Sequence, residues 1–280
     1  MPIDLHTHST TSDGSLTPTE LVELAWELRL EAVALTDHDT LDGIDEASRA
    51  ADRVGIELIP GVELSLDWDR GGMHMLVLWL TPGTGPLQDR LAELQAARNS
   101  RNARIVDRLN ELGLEISLAE VEAEAGDGSV GRPHFAAVMV RKGYVPDIRT
   151  AFDEYLANGR PAYMPRYRLA PEEAIGLARR SGGVPILAHA HTLGLDNRGE
   201  VEALLERLVG AGLVGIECHY GSYDADERAG YVAMARRFGL LPAGGSDFHG
   251  SYKPEVALGT GSVGIGVPSE ILEPLRAMRT

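Results

Sequence analysis

Short apolar runs alternate with amphipathic segments over residues 1–85, the pattern of β/α units, and each run ends in polar residues rather than in a plain turn. Ile3 to Leu5 leads into His6 and His8, and Ala32 to Leu35 leads into Asp37 and His38. Between these two runs, Thr17, Pro18 and Glu20 supply an N-cap, a first-turn proline and a capping-box acid, which predicts a helix running to about Leu28. Leu58 to Val62 then delivers Glu63, and Met73 to Leu80 carries His74 at its start. From Pro86 to Arg168 the rhythm changes to a long Arg- and Glu-rich helical stretch followed by shorter helical pieces, with no convincing strand. This predicts a mainly helical insertion, 86–168, in a barrel made of 1–85 and 169–280. Beyond it the β/α rhythm resumes: a helix over 171–180, a strand from Val184 to Ala188 ending at His189, a helix near 199–209, and a strand from Val214 to Cys218 ending at His219. A helix over 225–237 and a strand from Leu240 to Ala243 then precede Asp247 and His249, with Gly182-Gly183 and Gly244-Gly245 read as turns.

A chain of 280 residues that is 44% hydrophobic is long enough to bury the core of one α/β barrel, alone or with an insertion. No apolar run is long enough to span a bilayer, and MPIDLHTHST carries neither a basic n-region nor an apolar h-region, so a cytoplasmic location is expected, without a membrane partner. The single cysteine, Cys218, cannot form an internal disulfide or a thiolate zinc framework, and its apolar strand makes it core. Any metal site therefore has to use His, Asp and Glu. The formal net charge of -16 repels polyanions and disfavours duplex DNA and anionic lipid as partners. A small phosphorylated substrate survives this filter, because metals and two or three Arg in direct contact outweigh distant screened carboxylates.

In α/β barrels the reactive groups sit at the C-terminal ends of the strands, and most of these polar residues fall there. Of the nine histidines, those at 6, 74 and 189 lie within one residue of an expected strand terminus, and those at 8, 38 and 249 lie three to six residues beyond one. Side chains alternate along an extended segment, so His6 and His8 point the same way and can grip one ion. An isolated pair of this kind is more commonly two satisfied hydrogen-bonding groups; six such histidines together with Asp13, Glu63 and Asp247 reverse that expectation. Imidazole and carboxylate ligands suit manganese, iron or zinc, and a carboxylate such as Glu63 can bridge two ions. Paired divalent ions acidify a bridging water and neutralise phosphate charge, so a phosphate ester can be hydrolysed without a protein nucleophile. Asp37 suits an acceptor that fixes the tautomer of His38, with direct ligation left open.

The segments HTHSTTSDGS, TDHDT, GVELS, LAHAH and GSDFHG resemble, in order, the motifs of the PHP family, named for polymerase and histidinol phosphatase. The match runs from residue 3 to about 250. The resemblance implies a distorted seven-stranded (β/α) barrel and two or three divalent ions. The first would be held by His6, His8, Glu63 and Asp247, the second by Glu63, His74 and His189, and the third by Asp13, His38 and His249. One motif departs from the usual Ala-His-Pro, reading Ala188-His189-Ala190-His191, with His191 expected at the surface. GRPHFA and NGRPAYMPRYR resemble the branch acting on nucleotide phosphates and short RNA, which implies that Arg132, His134 and Arg160 bind substrate. Gly131-Arg132-Pro133 also reads physically as a helix entry able to clamp phosphate, while Arg166 and Arg168 read as surface charges. His219 and Tyr220 fit packing and pocket lining equally well.

The expected function is hydrolysis of a phosphate ester on a nucleotide or short oligonucleotide by a metal-bridging hydroxide, with Glu63, Asp247, His249, Arg132 and His134 at the reaction. Within the family this means a 3',5'-nucleoside bisphosphate phosphatase or a 5'-to-3' exonuclease on short RNA. Histidinol phosphate hydrolysis and a non-catalytic metal-binding accessory are the competing readings. A barrel amidohydrolase would bridge its metals through a carboxylated lysine, and neither Lys142 nor Lys253 falls at an expected strand end.

Overall fold

A computed structural model of the chain describes residues 2–126, 130–165 and 167–279. They form two compact units, one made of Met1–Leu91 with Arg168–Thr280 and the other of Ala92–Tyr167. The first unit opens with β1 (Pro2–Ile3), α1 (Pro18–Glu27), β2 (Ala32–Leu35), α2 (Ile44–Val54), β3 (Glu57–Ser65) and β4 (His74–Leu78). Next in the chain come α3 (Pro86–Glu111), α4 (Leu118–Ala125), α5 (Arg132–Arg141), α6 (Ile148–Ala151) and a π-helical turn at Phe152–Leu156. The first unit is completed by α7 (Pro171–Arg180), β5 (Val184–Leu187), α8 (Arg198–Gly210), β6 (Gly215–Tyr220), α9 (Ala225–Phe238), β7 (Leu241–Gly245), β8 (Val267–Pro268) and α10 (Leu272–Arg276).

Six strands form one sheet in the order β2-β3-β4-β5-β6-β7, and β1 pairs with β8 alone. Neighbours are parallel except for β4, which runs antiparallel to both β3 and β5. The extended segment after β1 bonds to both edges of this sheet. On the β2 side, Asp4 N–H donates to Ala32 O at 3.1 Å and Thr36 N–H donates to Thr7 O at 3.0 Å. On the β7 side, Leu5 N–H donates to Gly244 O at 3.2 Å and Asp247 N–H donates to His6 O at 2.9 Å. Seating His6 and His8 between the two edges in this way explains the glycines of β7. A Cβ on Gly245 would stand 2.4 Å from His6 Cβ, so only glycine allows the approach. Gly244 and Gly245 are therefore strand residues, not the turn their dipeptide suggests.

Inside this unit Ile3, Leu5, Ala34, Ile59, Leu76, Ile186 and Ala243 pack into one buried core, which holds the strand ends rigidly. The expected capping box of α1 is present, with Thr17 Oγ1 accepting from Glu20 N–H and Glu20 accepting from Thr17 N–H. The second unit has its own core around Ile105, Leu109, Phe135, Val138, Met139 and Leu156. No helix among the described residues is long and apolar enough to cross a membrane.

Candidate metal centre

The segments that follow β1, β2, β5 and β7, with the end of β3 and the start of β4, deliver carboxylates and imidazoles to one cluster. Glu63 is at its middle, 1% exposed, and its two oxygens face different histidines. Oε2 lies 3.1 Å from His6 Nε2, 3.1 Å from His8 Nε2 and 3.3 Å from His38 Nδ1. Oε1 lies 2.9 Å from His74 Nδ1 and 2.8 Å from His189 Nε2. Asp247 joins the first set, with Oδ1 3.5 Å from His6 Nε2 and 3.3 Å from His8 Nε2. Asp13 stands at the rim, half exposed, 3.4 Å from His249 Nε2, 3.6 Å from His8 Nδ1 and 3.7 Å from His38 Nε2.

The chain thus brings together all nine residues marked as ligands in the sequence. Three overlapping groups have ligand atoms close enough to share an ion: His6, His8, Glu63 and Asp247; His8, Asp13, His38 and His249; and His38, Glu63 and His74. The first group has the membership that the motifs imply. The second gains His8, and the third has His38 where the motifs place His189, which instead bonds Glu63 directly.

Many of these contacts are close without being hydrogen bonds. His6 Nε2, both ring nitrogens of His8, His38 Nδ1 and His74 Nδ1 are buried and have no hydrogen-bond partner. Buried polar atoms are normally paired, so lone pairs aimed together at carboxylates without bonding them fit a set of metal ligands. Electrostatics agree. Burial pushes the Glu63 carboxyl up, but the imidazoles of His38, His6 and His74 outweigh it and hold the group well below the usual range. Asp247 is likewise depressed, burial being outweighed by His6 and His8. Burial lowers His8, yet Asp247 and Glu63 raise it to about 10. His38, most affected by burial, falls to about 4. Two site residues also carry left-handed backbone, His189 at φ 23 and Asp247 at φ 60, a strain that persists where the surroundings fix a functional geometry.

Sequence reasoning missed three residues that shape this cluster. Glu217, fully buried on β6, has Oε1 3.1 Å from His6 Nδ1 and accepts from His189 N–H at 2.7 Å. It therefore fixes His6 with Nδ1–H outward and the Nε2 lone pair toward Glu63 and Asp247. Strand alternation marks Glu217 only as a buried carboxylate; its partners come from β5 and the N-terminal segment. Asp4 is the second, binding Ser246 N–H and Oγ and so anchoring the loop that carries Asp247. Lys253 is the third, its ammonium 2.8 Å from Asp247 Oδ2, an oxygen that also accepts from Tyr220 OH at 2.8 Å. Tyr220 therefore lines the cluster. Asp37 takes a different part from the one expected: its carboxylate accepts from Ser9 N–H, Ser9 Oγ and Ser12 Oγ, holding the loop before Asp13 rather than the ring of His38.

Glu217→Gln is expected to lower metal affinity 10- to 100-fold, about the usual effect of losing a ligand's hydrogen-bond partner. With its amide oxygen kept on His189 N–H, the new amide NH₂ would face His6 Nδ1 and invert the tautomer. Titration of Mn²⁺ into the variant checks this, and wild-type affinity would contradict the orienting role.

The other marked residues have their own settings. His191 is exposed, with Nδ1 3.1 Å from Tyr223 OH. Cys218 is buried, and its thiol is pushed up to about 12 by burial, so it is inert core. In the second unit, Arg132 begins α5, donates through Nη1 to Leu156 O at 3.1 Å and lies over the rings of Phe152 and Tyr163. His134 Nδ1 accepts from Gly131 N–H at 3.0 Å, capping the same helix, and Arg160 is exposed on the turn after the π-helical segment. Arg168 is half-buried in the first unit, and Arg166 lies outside the described residues.

The PHP domain model matches residues 4–157. A Chromobacterium violaceum 3',5'-nucleoside bisphosphate phosphatase is 36% identical over 88% of this chain and 87% of its own length. A Haemophilus influenzae 5'-3' exoribonuclease is 37% identical over 88% of this chain and 89% of its own. A crystal structure from Bifidobacterium adolescentis, described as a metal-dependent phosphoesterase, superposes with a TM-score of 0.80 at 30% identity, covering 100% of this chain and 98% of that one. The fold and the clustered ligands define a hydrolase of the metal-dependent phosphoesterase class. The chain belongs to the PHP family.

Proposed function

We propose that this enzyme hydrolyses phosphate esters of nucleotides, either as a 3',5'-nucleoside bisphosphate phosphatase or as a 5'-to-3' exonuclease on short RNA. The observation that carries this reading is the buried Glu63, whose two oxygens divide five imidazoles into two sets. His6, His8, Glu63 and Asp247 would hold one divalent ion, and Glu63, His74 and His189 a second, with Glu63 shared. Asp13, His38 and His249, joined by His8, would hold a third. Manganese, iron and zinc all suit this donor set. Bound ions would supply Lewis acidity, activating water and offsetting phosphate charge.

The residues of the chain do the rest. Glu217 holds the tautomer of His6, Asp37 sets the loop of Asp13, and burial keeps bulk water from Glu63 and Asp247. His249 stands beside Asp13 and Asp247, and its Nδ1, set against Asp247 O at 2.8 Å, leaves Nε2 to face Asp13 as a ligand would. Arg132, His134 and Arg160 fit recognition of a substrate phosphate. Residues 86–168 form an insertion in this reading, and the segment bearing His6 and His8 acts as a seventh stave of the barrel. The net charge of -16 directs the site to short substrates rather than duplex DNA.

The test offers the Mn²⁺-loaded protein a 3',5'-bisphosphonucleoside, a 5'-phosphorylated RNA trimer and histidinol phosphate, each with and without chelator. Chelator-sensitive turnover of a nucleotide substrate is expected, with release of phosphate or of mononucleotide distinguishing phosphatase from nuclease. Turnover of histidinol phosphate alone would overturn the nucleotide reading, and no turnover despite bound metal would overturn the enzyme.

A further inference from the structure

Lys253 is one of only two lysines in a chain whose other basic residues are arginines. The loop after β7 bends back at Gly250–Tyr252 and returns Lys253 to Asp247, six residues earlier. The two oxygens of Asp247 are used differently. Oδ1 faces His6, His8 and His249 at 3.5, 3.3 and 3.5 Å, while Oδ2 takes Tyr220 OH and the Lys253 ammonium, both at 2.8 Å. The carboxylate side chain is 9% exposed and the lysine 38%, so the cation stands where the buried cluster meets solvent.

Stability does not account for this placement. A partly exposed ion pair contributes little, and Tyr220 already gives Oδ2 a donor. A positive charge one carboxylate away from a set of divalent-cation ligands is repelled by the ions those ligands collect, unless an anion is bound between them. An ammonium has three donor hydrogens, of which Asp247 uses one, and no other partner of Lys253 Nζ is found among the described residues.

We propose that Lys253 is a phosphate-binding residue of this site: anchored on Asp247 Oδ2, its ammonium donates a hydrogen bond to a non-bridging oxygen of the substrate phosphate. The proposal rests on the phosphoesterase reading for its substrate, but its test does not require turnover. The cation is carried by the same loop as two of the ligands, Asp247 and His249. The compact, rotatable ammonium suits a donor shared between a fixed carboxylate and an incoming anion better than a planar guanidinium would.

The experiment measures inorganic phosphate binding to Mn²⁺-loaded wild type, Lys253→Met and Lys253→Arg by calorimetry, together with the Mn²⁺ content and Mn²⁺ affinity of each. Lys253→Met is expected to weaken phosphate binding about tenfold, a loss of about 1.4 kcal/mol. Phosphate binding is compared at saturating Mn²⁺, so that any change in metal affinity is read separately, and Lys253→Arg should keep phosphate affinity within about threefold. With a nucleotide substrate, KM should rise more than kcat falls. Unchanged phosphate affinity in Lys253→Met would overturn the proposal. So would a loss of Mn²⁺ affinity with phosphate binding intact, which would make the lysine a brace for Asp247 only. Lysine-dependent phosphate binding by a protein that turns over no ester would instead count against the hydrolase while leaving the phosphate contact standing.

Discussion

Glu63→Gln is expected to abolish turnover, with a loss on the order of 10³-fold or more, and to reduce the Mn²⁺ bound per chain by at least one. The change keeps the shape of the side chain, so lost packing does not confuse the result. It removes the charge that His6, His8 and His38 face through Oε2 and that His74 and His189 face through Oε1. A neutral amide offers one weak oxygen donor, and its NH₂ would point at imidazole lone pairs on one side or the other. Both sets of histidines lose their common anion in a single substitution, whereas a change at His74 or Asp13 removes one ligand from one group. The effect should therefore exceed that of any single histidine change. Metal content by mass spectrometry and steady-state turnover, alongside a cooperative melt of the chelated variant, make the check. Turnover within tenfold of wild type would remove Glu63 from the centre of the mechanism.

The legible parts of this molecule were those written locally. The capping box of α1 needs only Thr17, Pro18 and Glu20, and the strands ahead of Glu63, His189 and Asp247 are short apolar runs whose ends the polar residues mark. The His6 and His8 pair follows from strand alternation, and the ordered motifs supplied the remaining ligands. What escaped depends on residues distant in the chain. Glu217 acquires its role only because the parallel packing of β5 and β6 sets it under His189 while the N-terminal segment presents His6. Lys253 does not lie at a strand end, yet a three-residue turn carries it back to Asp247. The sheet orientation was equally hidden: β4 is antiparallel, and an apolar run does not record the direction of its neighbours. Asp37 shows the reverse failure. Its position beside His38 suggested a bond to that ring, but adjacent residues on an extended segment point to opposite sides, and Asp37 turns to Ser9 and Ser12.

The metal-free protein should lose stability as pH rises from about 6.5 toward 10, and metal should restore more of it the higher the pH. His6 is raised well above its ordinary value because Glu63, Glu217 and Asp247 outweigh its burial, and His8 is raised to about 10 by Asp247 and Glu63 against the same opposing burial. A histidine whose folded pKa exceeds its unfolded one contributes stability fully below about 6.5, and that contribution disappears as pH climbs through the folded value. His38, held low at about 4, has its stability change on the acid side and is silent in this window. Glu63 and Asp247, both depressed, also change only at acid pH. The alkaline slope therefore belongs to His6, His8 and His189, the last raised by Glu63 against its own burial, and above about pH 8.5 the buried Cys218 thiol adds to it; each proton lost corresponds to about 1.4 kcal/mol per pH unit. The same imidazole protons compete with metal, because a ligating imidazole must present its lone pair. Mn²⁺ affinity is expected to rise about tenfold per pH unit for each proton displaced, which over pH 6.5 to 8.5 is a change on the order of 100-fold for one proton. Calorimetric titrations at several pH values in buffers of different ionisation enthalpy would count those protons directly. A flat affinity with no proton release would mean that His6 and His8 enter the site already neutral beside ionised carboxylates, and it would overturn both the raised imidazole values and the alkaline loss of stability that follows from them.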